Sequence, residues 1–433
     1  MKKIFVIILS FISILNNSWG TQYVSIEMVS NKVKEQNLSV LENAEKVYQA
    51  RTSIDEARMN LLPKLNLWNL GKIIIDPTAV LDLAQDFAPF LVPSNWFRLK
   101  ETELFYQAEK EGYLALKANE LFAARSLYLK VLMDQDLYAS LNRFESEFAT
   151  IRMLIEDRFD LGLETAEVAR EIQIQHLNIM EDLIQIKLLV DFEKSTLAQA
   201  LGIAVNEEII LSAVSSPEGD INLPMESKDW EEQVLKKSPE INQFNNLIKV
   251  IPYIKKEVRF SFLGVSSLSR GTAGGIFDDL PVSQGLGFAN GKQIDIINSK
   301  SKILELQKKG IEETLRRQVL NVSQDHNSSL KLRTLREERL NLSGLNFKSY
   351  VEKLSIGGQL SLPEFSQTML SFLQSQASFY ETFYSFMTNY DRLQRLAFAG
   401  AYESISKDKI PSTKETETRC RKTIFGRTVC EKD

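Results

Sequence analysis

Apolar side chains in the last third of the chain recur at alternating steps of four and three residues. The series runs through Phe365, Met369, Phe372, Phe379, Phe383, Phe386, Tyr390 and Leu393, with Gln376 at the one polar step. A second series with this spacing is Ile179, Leu183, Ile186, Val190 and Leu197. A repeat of 3.5 residues is typical of the seam of a coiled coil, where helices pack side by side. Both segments are therefore predicted to be helices of coiled-coil hairpins.

Proline and glycine are missing from two long parts of the chain. No proline occurs in 94–216 or in 282–362, and the first part has glycine only at Gly112, Gly162 and Gly202. Because proline breaks helix interiors and glycine weakens them, these parts are predicted to be long helices. Helices of about 40 to 60 residues would be roughly 60 to 90 Å long at 1.5 Å per residue.

The two halves of the chain predict the same order of elements: a helix, two strands, a long helix, a tight turn and a returning helix. In the first half these are a helix at 21–63, strands at 64–97, and a helical hairpin at 98–202 with its tip near 158–165. A linker at 203–225 follows. In the second half they are a helix at 226–256, a β-hairpin at 257–291, and a helical hairpin at 292–400 with its tip near 353–361. A polar tail covers 401–433.

The predicted strands are long enough for a tilted transmembrane β-strand of ~9–11 residues. Alternation at Val258, Phe260 and Phe262 starts the second pair. Four strands in one chain leave open edges, so they would close only in a barrel shared between copies. The first pair is interrupted by prolines, including Pro77 and Pro89, which predicts a short, replaced or displaced hairpin. The alternative is a small soluble pair of β-hairpins packed on a helical bundle.

The N-terminus has the three parts of a signal peptide. Two lysines precede the apolar run Ile4–Leu15, and Ser18 and Gly20 occupy the small positions of a cleavage site. Residues 1–20 are therefore predicted to be a signal peptide, with the mature chain starting near Thr21. The apolar run is too short for a comfortable transmembrane helix.

Composition excludes several functional classes. The formal net charge is -5, which gives no basic field for nucleic acid. Two His and two Cys are too few for a metal cage built on these residues, or for a triad that needs a spare His. No catalytic residue, cofactor site or metal site is predicted, and we do not expect the protein to be an enzyme.

The two predicted tips carry short motifs. The first reads Arg-aromatic-x-apolar-Gly-Leu, with Arg158, Phe159, Gly162 and Leu163. The second contains Lys353, Gly357 and Gly358, followed by Leu362, Pro363, Glu364 and Phe365. Together with the duplicated order of elements, these motifs resemble the TolC-like outer-membrane efflux channel family. Two departures are a first tip that is one residue shorter after Thr165 and Lys353 in place of arginine.

The resemblance implies a mainly α homotrimer that spans the outer membrane and the periplasm. Each protomer would give four strands to a shared outer-membrane barrel and its helices to a periplasmic tunnel. The tips would dock a periplasmic adaptor that is linked to an inner-membrane pump. The chain would then be a passive exit duct for efflux or type I secretion. The alternative is a periplasmic coiled-coil scaffold of related architecture without a pore.

The family also has acidic residues that narrow the periplasmic entrance just after the second tip. Spacing places these two positions at Glu364 and Gln367. A ring of three Glu364 carboxylates would favour cations. The alternative is that Glu364 is an ordinary acidic residue in the first turn of a helix.

The remaining polar chemistry is sparse. Cys420 and Cys430 lie close together in an exported chain, which predicts a disulfide, in a tail that is otherwise expected to be solvated. His176 and His326 both lie in helical stretches and are predicted to be ordinary residues of a helix face.

Overall fold

The computed structural model describes residues 21–62, 89–204, 207–214, 220–261, 290–356, 361–407, 419–422 and 428–431. Its helices are α1 (Ile26–Gln36), α2 (Leu38–Met59), α3 (Pro93–Asp160), α4 (Ala166–Ala200), α5 (Ser227–Lys237), α6 (Pro239–Arg259), α7 (Asn290–Ser355) and α8 (Leu362–Ala397). Its strands are β1 (Thr21–Val24), β2 (Glu208–Leu211), β3 (Arg419–Lys422) and β4 (Thr428–Glu431). Three 3-10 helices cover Pro89–Leu91, Asp220–Asn222 and Gly400–Lys407.

The predicted long helices are confirmed. Helices α3 and α7 have 68 and 66 residues, and α4 and α8 return from them with 35 and 36 residues. At 1.5 Å per residue, α3 and α7 are roughly 100 Å long. In the part of the chain that the structure describes, no helix has an apolar stretch long enough to cross a membrane. The strands predicted at 64–88 and 262–289 lie outside the described residues.

The chain divides into two compact units. The first contains Met1–Leu38, Leu121–Glu226 and Val322–Leu393. Its small sheet pairs β1 with β2 in parallel, with Thr21 opposite Glu208. The Tyr128 hydroxyl lies 2.6 Å from the Ser212 carbonyl oxygen and 3.1 Å from that of Val24, which ties α3 to both strands.

The seams predicted for α4 and α8 are confirmed in this unit. Ile172 and Ile179 of α4 are buried in one core cluster with Phe365 and Met369 of α8. The rings of Phe144 and Phe347 lie 5.3 Å apart between them, and Phe148, Phe365 and Phe372 extend this aromatic core. Aromatic rings at these spacings add stabilisation beyond the burial of their area.

The second unit contains Ser39–Glu120, Ser227–Asn321 and Gln394–Asp433. Val250, Ile254 and Val258 of α6 are buried against Phe105 of α3 and Leu304 of α7. Because the 3.6-residue spacing of these apolar residues is satisfied by packing, α6 continues as a helix to Arg259. The strand predicted to start at 257 is therefore wrong at its first residues.

Four further predictions need correction. Residues 21–24 form β1 rather than helix, and β2 lies within the region predicted to be a linker. Residues 93–97, assigned to a strand region, begin α3. The helix predicted over 21–63 is interrupted at Asn37, whose side-chain amide donates to the Ala200 carbonyl oxygen at 2.9 Å. The start of the predicted polar tail is a 3-10 helix in which the apolar side chains of Tyr402 and Ile405 are fully buried.

Candidate docking tips and helix faces

The first tip is a glycine-dependent reversal between α3 and α4. Gly162 has a φ of 71°, a left-handed conformation that other residues adopt only at a cost. The Leu163 N–H donates to the Arg158 carbonyl oxygen at 2.8 Å, and the Gly162 N–H donates to that of Phe159 at 2.9 Å. Thr165 then caps α4 by accepting a hydrogen bond from the Val168 N–H. The predicted turn is thus present at the predicted residues.

Apolar side chains at this tip are exposed. Phe159, Leu161 and Leu163 all face solvent at the reversal. Exposed apolar residues clustered at one place indicate a contact surface. The tip therefore presents a small apolar patch on a rigid turn.

Arg158, at the C-terminal end of α3, makes two contacts with other parts of the tips. Its guanidinium lies 3.2 Å from the Glu164 carboxylate, and it also donates to the Leu354 carbonyl oxygen of α7 at 3.4 Å. Both of its partners are in the first unit. A planar guanidinium has enough donors to hold two such groups in fixed directions. Arg158 therefore fixes the first tip to the end of the second hairpin.

The second tip begins where α7 ends. Lys353 is exposed, Ile356 has the largest exposed fraction among the large apolar residues that the structure describes, and Leu354 is buried. Gly357 and Gly358 lie outside the described residues. The Tyr350 hydroxyl joins α7 to the start of α8, since it donates to the Ser361 carbonyl oxygen at 3.0 Å and accepts from the Ser361 N–H at 3.1 Å.

The two gate candidates are both exposed on the first turns of α8. Glu364 lies in the first turn, and Gln367 lines an open groove of about 470 Å³ between α7 and α8. The groove is also lined by Leu335, Glu338, Arg339, Leu342, Ser343, Asn346, Thr368 and Ser371. Exposure leaves both side chains available to face a tunnel, so their role as a gate stays a prediction.

Both hairpins carry a second apolar stripe that sequence reasoning missed. On α4 the exposed residues are Ile174, Leu177, Met180, Ile184, Leu188 and Phe192, and on α7 they are Leu332, Leu335, Leu342 and Leu345. The signal was available in the sequence, because steps of three, four and seven connect most of these residues. Each hairpin therefore buries one seam within the first unit and leaves a second apolar face uncovered in the single chain.

A pair of buried carboxyl groups interrupts the seam of α4. Glu193 lies three residues after Val190 and four residues before Leu197, at a position of the seam where an apolar residue is expected. It is buried beside Asp134 of α3. The Lys130 ammonium nitrogen lies 2.5 Å from Glu193 Oε1. Burial, followed by the hydrogen bond and the charge of Glu193, raises the pKa of the Asp134 carboxyl to about 7. The Asp134 carboxyl therefore keeps its proton at pH values where a free aspartate has lost it.

The raised pKa of Asp134 predicts that the free energy of unfolding depends on pH. The unfolded Asp has a pKa of about 3.9, so the folded state keeps a proton that the unfolded chain loses between about pH 4 and pH 7. Stability therefore falls as the pH rises through that window. Because an amide mimics the protonated acid, Asp134→Asn should raise the melting temperature little near pH 4 and most above pH 7. Thermal unfolding followed by circular dichroism tests this. A gain of equal size at every pH would contradict it.

The two histidines differ from each other. His176 is half-buried, 2.8 Å from Glu145 and stacked on Phe148. The prediction of an ordinary face residue is wrong for His326, which is fully buried. Its Nε2 lies 3.0 Å from the Ile221 carbonyl oxygen, and burial lowers its pKa. The reason is that the 220–226 segment covers this part of α7, a contact that helical periodicity does not reveal.

The disulfide between Cys420 and Cys430 stays a prediction. Strands β3 and β4 pair antiparallel with Cys420 opposite Cys430. Directly opposed residues of an antiparallel pair have Cα atoms about 4.5 to 5.5 Å apart, within the range that a disulfide spans. The described residues contain no group of three or more His, Cys, Asp or Glu side chains suited to hold a metal ion.

The chain resembles solved outer-membrane channels in structure. The Campylobacter jejuni CmeC outer membrane channel matches with a TM-score of 0.69 and 11% identity over 88% of each chain. The Vibrio cholerae outer membrane protein VceC matches with a TM-score of 0.67 and 10% identity over 87% of this chain and 96% of VceC. CusC, described in terms of transmembrane channel formation, matches with a TM-score of 0.67 and 11% identity over 89% of this chain and 96% of CusC.

No protein-family model and no curated protein matches the sequence. At 10 to 13% identity the similarity lies in the backbone rather than in individual residues. It nevertheless extends over nearly nine tenths of this chain. The chain therefore has the mainly helical fold of the TolC-like outer-membrane channels.

Proposed function

We propose that this chain is the outer-membrane exit duct of an export system, and that it works as a passive homotrimer of the TolC-like family. The observation that carries the proposal is the pair of long helical hairpins, matched along nearly the whole chain by outer-membrane channels. No catalytic chemistry is assigned to it, so energy would come from an inner-membrane partner. The duct would serve either efflux or type I secretion.

The second apolar stripes support the trimer. Leucines such as Leu188 on α4 and Leu335 on α7 would each lose about 1.5–3 kcal/mol of favourable burial if they stayed exposed. Two uncovered stripes on opposite hairpins let each copy offer one stripe to each neighbour, which is how a closed ring forms. The shared barrel rests on strands outside the described residues and stays a prediction.

The protein solubilised from membranes tests this function directly. We expect it to require detergent for extraction, to have the mass of three chains in mild detergent, and to form ion-conducting pores in planar bilayers. A monomer without conductance would refute the duct. A protein that leaves the cell envelope without detergent would favour the periplasmic scaffold instead.

The gate proposal concerns the entrance of this duct. Glu364 is exposed in the first turn of α8, with Gln367 one turn further on. Three copies of Glu364 around a threefold axis would form a ring of negative charge that favours cations. Gln367 is a neutral amide and would add no charge to the entrance. The ion selectivity of this duct would therefore depend on Glu364.

The tips are proposed as the docking surface for the periplasmic adaptor. Phe159, Leu161 and Leu163 would bury their exposed side chains against the partner, while Arg158 holds the turn in place. Lys353 and the two glycines of the second tip would complete this surface. A cross-strand disulfide between Cys420 and Cys430 is proposed for the tail but has no part in docking.

Gly162→Val should abolish export while the protein stays inserted and trimeric. Nothing lies within 4 Å of a Cβ built at Gly162, so the change acts through the positive φ and not through a clash. Forcing a left-handed conformation costs about 1–2 kcal/mol, and more for a β-branched residue, so the turn should change its shape. Co-purification of the adaptor and dye export from cells measure the effect.

Gly310→Val is the matched control for this change. Gly310 also has open space around its Cβ position, but it lies inside helix α7, where valine is better tolerated than glycine. We expect normal export from the control. Normal export from both variants would remove the first tip as a required contact.

A further inference from the structure

A short segment between the two halves of the chain is fastened to α7 by hydrogen bonds. The Met225 N–H donates to Asn327 Oδ1 at 2.7 Å, and the Asn327 side-chain amide donates to the Met225 carbonyl oxygen at 3.0 Å. The preceding residue of α7, His326, has its Nε2 3.0 Å from the Ile221 carbonyl oxygen. We call these four residues the clasp: Ile221, Met225, His326 and Asn327. All four belong to the first unit, so the clasp holds the 220–226 segment on a helix of its own unit.

The part of the segment between the two anchors of the clasp faces solvent. Ile221 is only 7% exposed, but Asn222 and Leu223 are exposed. Asn222 adds one long contact, with its Oδ1 3.5 Å from Arg333 Nη1. Segments with few buried side chains open at a lower free energy than the core of a domain. The 220–226 segment can therefore leave α7 without unfolding of the helices beneath it.

The surroundings of His326 favour its neutral ring. A carbonyl oxygen only accepts hydrogen bonds, so Nε2 carries the proton that is donated to Ile221. Nδ1 is buried and has no hydrogen-bond partner among the residues that the structure describes. The ring lies 4.8 Å from that of Phe386 and 5.9 Å from that of Tyr390, both on α8. A second proton would therefore go to Nδ1 and bring a positive charge into apolar surroundings.

The charged groups around this imidazole do not offset its burial. The Arg333 guanidinium lies 5.7 Å from the centre of the Phe386 ring, so a protonated imidazole would be a second cation against that ring. Asp325 of α7 and Glu226 of the segment are exposed, and Asp391 of α8 pairs with an arginine of α3 at 2.8 Å. These three carboxylates are thus solvated or already paired, which leaves burial as the main influence on the imidazole.

The direction of the pH dependence follows from that burial. Burial lowers the pKa of His326, and the carbonyl oxygens of Ile221, Leu223 and Phe386 raise it by less. An imidazole in water has an ordinary pKa of about 6.5. Below that value the released segment binds more protons than the fastened one. Fastening is therefore fully favoured at neutral pH and is lost progressively in acid.

We propose that the clasp is an acid-sensitive fastening of the link between the two halves of the chain. At neutral pH it holds the 220–226 segment on α7, and protonation of His326 in acid releases the segment while α7 and α8 stay folded. The proposed duct would place the clasp outside the cytoplasm, where acid from the surroundings reaches it. This last consequence rests on the proposed function, whereas the release itself does not.

A thiol in the clasp measures the release. The full chain with Ile221→Cys, Cys420→Ser and Cys430→Ser would be purified in mild detergent and treated with a water-soluble maleimide. Leu223→Cys in the same background is the matched control, because its side chain is 58% exposed in the fastened state. The ratio of the two rates removes the pH dependence of the thiol itself. We expect this ratio to rise severalfold from pH 7 to pH 5, with a limit of about 25-fold set by an ordinary histidine pKa.

Three further variants identify the cause of the rise. Ile179 is buried in the aromatic core of the same unit, so the thiol of Ile179→Cys should stay protected at both pH values. The chain has two histidines. His176→Gln in the Ile221→Cys background should therefore keep the rise, whereas His326→Gln, which does not titrate, should remove it.

Several outcomes would overturn the clasp. A ratio that is independent of pH in the protein with both histidines would do so, whether or not His326→Gln folds. A rise that is lost in His176→Gln, or an equal exposure of the Ile179→Cys thiol, would also do so. Because the thiols are measured on purified protein, failure of the clasp leaves the proposed duct intact. A protein without conductance would refute the duct and leave the release of the segment unaffected.

Discussion

Arg98→Met should destabilise the protein by about 3–5 kcal/mol, because it removes a buried cation that lies against two buried carboxylates. Arg98 Nη1 lies 2.8 Å from the Glu101 carboxylate, and Nη2 lies 3.4 Å from that of Glu257. The side chains of both acids are fully buried. The cluster joins the first turns of α3 to the end of α6, so its loss should loosen this end of the second unit.

The measurement is the melting temperature of the protein in mild detergent, followed by circular dichroism. Lys100→Met on the same helix is the matched control, because Lys100 pairs with Glu103 at 2.7 Å with its side chain largely exposed. An exposed pair contributes only about 0–1 kcal/mol. Combining Arg98→Met with Glu101→Gln and Glu257→Gln should recover most of the loss. Arg98→Met as stable as Lys100→Met would show that the buried charges are compensated by other groups.

Gly202→Ala should destabilise the first unit by about 2–4 kcal/mol, from backbone strain and a backbone clash together. Gly202 has a φ of 65° at the end of α4. A Cβ built there would lie 2.6 Å from the Gln36 carbonyl oxygen and 2.7 Å from Gln36 Cβ. Neither contact can be relieved by rotating a flexible side chain, so α1 and α4 would have to separate.

Alanine substitutions at two other glycines distinguish the backbone strain at Gly202 from the clash with Gln36. Gly162→Ala meets the same positive φ without any atom within 4 Å, so it should cost only the strain of about 1–2 kcal/mol. Gly310→Ala lies in open space inside α7 and should stabilise the protein by up to about 1 kcal/mol. The expected order of melting temperatures is therefore Gly310→Ala, the unchanged protein, Gly162→Ala and Gly202→Ala. Equal losses at Gly162 and Gly202 would mean that α1 moves freely away from α4.

The sequence predicted what depends on local periodicity and backbone freedom. The absence of proline from 94–216 and 282–362 indicated long helices, and steps of four and three placed Ile179 and Phe365 on apolar helix seams, where both are buried. Gly162 indicated the first reversal of the chain, because glycine adopts a positive φ at little cost and such a φ is needed at this turn. Each of these features is determined within a few turns of helix, so no knowledge of distant partners was needed.

The other features of the fold depend on contacts between residues that are far apart in the sequence. Val258 alternates with Phe260 and Phe262 as in a strand, yet Val258 is helical because it packs into the core of α6 with Phe105 and Leu304. The parallel pairing of β1 with β2 joins four-residue segments whose own pattern is too short to indicate a strand. His326 is buried because the 220–226 segment crosses α7, and Arg158 reaches Leu354 because the two hairpins end side by side. Periodicity shows which face of an element is apolar, but only the tertiary contacts decide what covers that face and which faces, like the second apolar stripes of α4 and α7, stay exposed.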